Sequence, residues 1–129
     1  MIAVDTNLLV RIVTNDDPRQ TSLALNLLGR QDRVLVAKTV FLELEWVLRT
    51  AYRLSAQSIL GIMRGFMDIA NWDFEDNAAV RDALNWYAEG MDLADALHVA
   101  STRNCPFATF DLALLRQSRR LGIAAVSIT

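Results

Sequence analysis

Short apolar runs alternate along this chain with longer stretches of helical periodicity, and that alternation limits the fold more than any single residue does. "MIAV" (1–4), "RVLVA" (33–37), "PFATF" (106–110) and "IAAVSI" (123–128) have the length of buried strands, and "NWDFE" (71–75) is a weaker fifth. "PRQTSLALNLLGR" is a helix entered through Asp17 as N-cap and Pro18 at the first helical position, and it ends at Gly29. "KTVFLELEWVLRTAYRL" is a second helix, capped at Thr39, with an apolar stripe of Val40, Leu44, Val47, Leu48 and Ala51. "SAQSILGIMRGFMDI", weakened by Gly61 and Gly65, then "DNAAVRDALNWYAEG", "MDLADALHVA" and "LALLRQSRRLG" complete the helices. Strands separated by helices need crossover connections, so the expected fold is α/β, with a parallel four- or five-stranded sheet flanked by helices on both faces.

Length and composition set the frame for function. At 129 residues and 53% hydrophobic, one domain over 1–129 with its own core is expected. The single cysteine, Cys105, cannot form an internal disulfide and is expected to be a small buried residue. "LLVRIV", "VFLELEWVL" and "ILGIM" are short or broken by charge against the roughly 20 apolar residues of a membrane helix, so no membrane partner is expected. "MIAV" carries no basic leader and meets Asp5 at once, which points to a cytoplasmic protein. The net charge of −2 gives no basic footprint for nucleic acid. Twelve of the thirteen cations are Arg, however, the residue suited to bidentate pairing with phosphate or carboxylate.

In an open parallel sheet, ligands bind beyond the carboxyl ends of the strands. Asp5 follows "MIAV" directly and Asp111 follows "PFATF"; each is either a turn residue or helix cap, or a ligand at that edge. Glu43 stands four residues past Thr39, on the flank of the stripe and partly buried, while Glu45 turns toward solvent as an ordinary surface acid. Asp92 is placed as an N-cap and Asp95 at the third helical position, a relation that imitates a capping box. Caps and a favourable helix dipole would account for that pair alone.

Convergence favours chemistry. Four carboxylates, Asp5, Glu43, Asp95 and Asp111, crowded at one edge would raise one another's pKa unless a cation sat among them. An all-oxygen set without paired His or Cys suits a hard ion, Mg2+ with Mn2+ as substitute, rather than zinc. Such an ion activates water and neutralises phosphate, so metal-dependent phosphodiester hydrolysis is the expected reaction.

The stretches "MIAVDTNLLVR", "DDPRQ", "FLELEWVLR", "DLADALHVA" and "FATFD" resemble, in order and over essentially the whole chain, the PIN-domain ribonucleases. More narrowly they resemble the VapC-type toxins of bacterial type II toxin–antitoxin pairs. The resemblance implies Mg2+-dependent cleavage of RNA, a homodimer and inhibition by a cognate antitoxin protein. It assigns the catalytic and metal-binding acids to Asp5, Glu43, Asp95 and Asp111, with Asp92 as a cap and outer ligand. Thr6, Asn7 and Thr109 match the hydroxyl and amide groups that orient ligands or substrate.

Other features stay open. His98, three residues after Asp95, either satisfies itself locally or bonds a site carboxylate or RNA. Arg11 and Arg116, the latter in "RQSRR", either hold RNA phosphates or cover a solvated face. Leu42 and Trp46, opposite the main stripe, either fill the core or form a dimer or antitoxin groove. Two alternatives compete with the nuclease: a non-catalytic α/β interaction module whose acids are only caps, and a haloacid-dehalogenase-like phosphatase. The second wants an acid two residues after Asp5, where Asn7 stands.

Overall fold

Val34 and Val36, both essentially inaccessible, anchor a central strand in the first part of the chain. In a computed structural model that describes residues 1–128, the chain folds as two units, Met1–Asn77 and Ala78–Thr129. The first carries β1 (Ile2–Ala3), α1 (Thr6–Thr14), α2 (Pro18–Gly29), β2 (Val34–Val36), α3 (Lys38–Thr50), α4 (Ala56–Met67) and β3 (Trp72–Phe74). The second carries α5 (Asn77–Ala88, starting at the boundary), α6 (Leu93–Ser101), β4 (Phe107–Thr109), α7 (Leu112–Arg120) and β5 (Ala125–Ser127).

All strand pairs are parallel, as the crossover argument requires. The expected sheet of four or five strands is corrected, however: β1-β2-β3 form one sheet and β4-β5 another. Each strand has only two or three residues, so each ladder offers few bonds; β1 pairs with β2 at Ile2↔Val34 and Ala3↔Leu35, and the Val4 N–H just beyond it donates to the Leu35 carbonyl at 3.3 Å. The β4–β5 strands are also less buried than continuous apolar strands should be, with Ala108 exposed and Val126 47% exposed.

Within the first unit, α1 is an element the alternation did not anticipate. Asp5 ends the β1 segment and caps α1, its carboxylate accepting the Leu8 N–H at 3.0 Å, and "LLVRIV" lies in that helix. The helix packs on α2 and α3 and buries Leu9 and Val10. Asp17 and Pro18 open α2 as expected, with the Gln20 N–H donated to the Asp17 carboxylate at 3.1 Å.

Two expectations for α3 are corrected. Thr39 is not its cap: Ala37 is, without a side chain to offer, and the Lys38 N–H donates instead to Glu75 at 2.9 Å from the end of β3. The buried stripe is Phe41, Leu44, Glu45 and Leu48, while Val40 and Val47 are partly exposed and Ala51 is exposed. Glu45 is therefore not a surface acid. It is 2% exposed, shares its helix face with Phe41 and Leu48, and pairs with Arg49 one turn on at 2.9 Å. Gly61 and Gly65 do not interrupt α4, which runs from its Ser55 cap to Met67 and buries Ile59, Met63, Phe66 and Met67.

Within the second unit, α5 buries Ala79, Val80, Ala83, Leu84 and Tyr87, and Gly90, at φ +98, turns the chain toward α6. Helix α6 buries Leu93, Ala96, Leu97, Val99 and Ala100, and α7, which buries Leu114, Leu115 and Ser118, packs on β4 and β5. Cys105 is exposed, not buried, because it lies in a turn after α6 whose backbone closes on Thr102. No helix among the described residues is long and apolar enough to cross a membrane.

Candidate active site

The first unit supplies Asp5 and Glu43. Asp5 is exposed at the start of α1, followed by Thr6, which is 5% exposed, and by Asn7, which is exposed. Glu43 faces solvent from α3, a correction to the partial burial expected, because the true stripe runs through Phe41, Leu44 and Glu45 on its either side. Its carboxylate has no hydrogen-bond partner among the described residues. Arg11 is already engaged: Nε donates to Gln20 at 2.7 Å and Nη1 to Asp16 at 2.9 Å. Asp16 also accepts from the Tyr52 hydroxyl and the Thr14 hydroxyl, and these bonds, Tyr52 foremost, with the Arg11 charge hold its carboxyl below the ordinary range.

The second unit supplies Asp92, Asp95 and Asp111. Asp92 caps α6, accepting the Asp95 N–H at 3.1 Å; the reciprocal bond of a capping box is not made. Asp111 caps α7, accepting from Ala113 at 2.9 Å and from Leu114 at 3.1 Å. Thr109 supports it from behind, its hydroxyl oxygen accepting the Asp111 N–H at 2.9 Å. Asp95 is half-buried, caps nothing, and accepts no hydrogen bond among the described residues. Its carboxyl is pushed up by burial first and then by the negative charges of Asp92 and Asp111, an effect partly offset by His98, which is exposed one turn further along α6.

In the second unit the charges of Asp92 and Asp111 thus act on Asp95, and no Arg or Lys bonds any of the three among the described residues. Among the described residues, no three or more Asp, Glu, His or Cys side chains draw together into a metal-holding group within either unit. The donor set fits a hard divalent cation in kind: every candidate is a carboxylate, and Asp95 bears a repulsion from its neighbours that a cation would relieve. Arg116 is exposed on α7; Arg103 is paired with Asp82, and Arg120 donates to the Glu89 carbonyl.

Sequence reasoning missed Glu75, which caps the helix that carries Glu43. No local signal could reveal it, since it lies 37 residues from the N–H it accepts.

The model of the PIN domain family matches residues 2–120. No curated protein and no solved structure matches the chain. PIN domains are typically nucleases and generally use divalent metal ions, which agrees with the all-carboxylate donor set and favours neither the interaction module nor the phosphatase. Because the match runs from the first strand to the last turn of α7, the chain belongs to the PIN domain family.

Proposed function

We propose that this chain is a Mg2+-dependent endoribonuclease and the toxin component of a type II toxin–antitoxin pair of the VapC type. The observation that carries the reading is the state of Asp95. Its half-buried carboxyl is pushed up by burial and by Asp92 and Asp111, His98 offsets this only in part, and no Arg or Lys bonds it among the described residues. In this reading the whole chain, 1–129, is one cytoplasmic domain that works as a homodimer and is inhibited by a cognate antitoxin.

By the resemblance to the family, Asp5, Glu43, Asp95 and Asp111 are assigned as the carboxylates that would hold the divalent ion, Mg2+ or its substitute Mn2+. When bound, such an ion activates water and neutralises the scissile phosphate. Asp92 fixes the first turn of α6 beneath Asp95 and serves as an outer ligand. Thr6 and Asn7 orient groups beside Asp5, and Thr109 holds the Asp111 backbone in place. Arg116 contacts an RNA phosphate; Arg11 has one guanidinium nitrogen left for the same task beside its bonds to Gln20 and Asp16.

The test is RNA cleavage by the purified protein with Mg2+, with EDTA, and with the variant Asp5→Asn, which keeps an N-cap side chain for α1. Cleavage is expected only from the unmodified protein with the metal. Cleavage that survives both chelation and the substitution would remove the reading.

A further inference from the structure

Asp111 is flanked by two apolar side chains that the core does not use. Phe110 is 78% exposed and Leu112 is 61% exposed, and among the described residues Phe110 makes no ring contact. The segment is nevertheless held firmly. The Thr109 hydroxyl accepts the Asp111 N–H, and the Asp111 carboxylate accepts from Ala113 and Leu114, so the phenyl ring projects from a fixed turn.

The helix that begins there continues the pattern. Leu112, Arg116 and Arg119 recur at i, i+4 and i+7, so they form one stripe of α7, and all three are exposed. Leu114, Leu115 and Ser118 take the buried side. Neither Arg116 nor Arg119 has a side-chain hydrogen bond or ion pair among the described residues. An aromatic face followed by free guanidinium groups is the combination that takes unstacked bases and the phosphates joining them.

We propose that Phe110 is a base-stacking residue for the RNA substrate, receiving one unpaired nucleobase while Arg116 and Arg119 take phosphates of the same strand. The inference rests on the nuclease reading, because the peptide bond from Phe110 to Asp111 is what puts the stacked base beside a catalytic acid. A stacked base needs a free face, which bases paired in an A-form duplex do not present, so the probe for this residue is a single strand.

Binding is measured in EDTA, where the RNA stays intact, with a labelled ten-nucleotide single strand and a duplex of the same sequence. Phe110→Ala should weaken single-strand binding about 5- to 150-fold, the loss of one stacked base. It should leave duplex binding, melting temperature and sedimentation unchanged. Phe110→Trp should restore affinity and add an indole emission that the single strand quenches, a signal that a merely structural role would not produce.

Equal single-strand affinity in Phe110→Ala and the unmodified protein would overturn the proposal. So would a changed oligomeric state, which would make Phe110 a contact between copies, or an absence of single-strand binding by the unmodified protein. If Phe110-dependent binding is found but no RNA is cut with Mg2+, the nuclease reading fails and the stacking residue stands. If RNA is cut equally well without the ring, the stacking residue alone fails.

Discussion

The Asp92 carboxylate accepts the backbone N–H of Asp95 at 3.1 Å, so one acid holds the turn on which the other stands. The two should therefore fail differently. Asp92→Asn retains a capping side chain and should reduce metal-dependent RNA cleavage only modestly, whereas Asp92→Ala should cost about 1 kcal/mol in denaturant unfolding. Asp95→Asn removes no cap and should abolish cleavage while the protein stays folded. Similar activity losses in Asp92→Asn and Asp95→Asn would refute this division of roles.

The pH dependence of stability follows from the raised carboxyl of Asp95. Burial and the charges of Asp92 and Asp111 penalise its ionised form in the folded state. Below the ordinary carboxyl value of 3.8 the side chain is protonated whether folded or not, and the penalty is absent; it grows as pH rises through the raised value. Asp95→Asn should accordingly gain stability over the unmodified protein between about pH 4 and 7, and the gain should vanish at lower pH. Urea denaturation at the two ends of that window checks the sign.

Divalent metal should act on the same repulsion. Calorimetry at pH 7 should show Mn2+ raising the melting temperature of the unmodified protein, because a ligand that binds only the folded state stabilises it. The rise should be lost in Asp95→Asn. A chain whose acids are only caps would melt at the same temperature with and without the ion.

Glu45 and Arg49 should respond asymmetrically. Arg49→Met takes the guanidinium away from a carboxylate with 3% of its side chain exposed, and should cost about 1–3 kcal/mol in chemical denaturation. Glu45→Met places an apolar side chain of similar volume between Phe41 and Leu48 and should change stability by less than about 1 kcal/mol.

The remote cap of α3 is open to a similar comparison. Glu75→Ala leaves the Lys38 N–H without its acceptor and should lower stability by about 1 kcal/mol, with some loss of cleavage because α3 carries Glu43. Glu75→Gln keeps an acceptor oxygen and should recover most of both in thermal melts and RNA cleavage assays.

What the sequence disclosed was what neighbouring residues decide. Asp17 and Pro18 at the head of α2, Asp92 at the head of α6 and Asp111 at the head of α7 each act on amides within three residues, so they can be read in a short window. Glu75 and Lys38 are joined only through the pairing of β2 with β3, which no window contains. The stripe of α3 was missed by about one residue, and at 100° per residue that slip exchanges Glu45 for Glu43 as the buried acid. The acids named for the site were legible as types at strand and helix junctions. Their electrostatic coupling was not, because the field on Asp95 depends on Asp111, sixteen positions away and carried by a different helix start.

Asp5, Asp92 and Asp111 each hold the first turn of a helix. A lineage of this fold that had lost its chemistry would still be under pressure to keep Asp, or the equally good cap Asn, at those three places. Glu43 and Asp95 cap nothing, so the fold alone would let them drift. If the proposed roles hold, those two positions, rather than the more prominent aspartates at the helix starts, would distinguish a working copy from an inert one in a comparison of related chains.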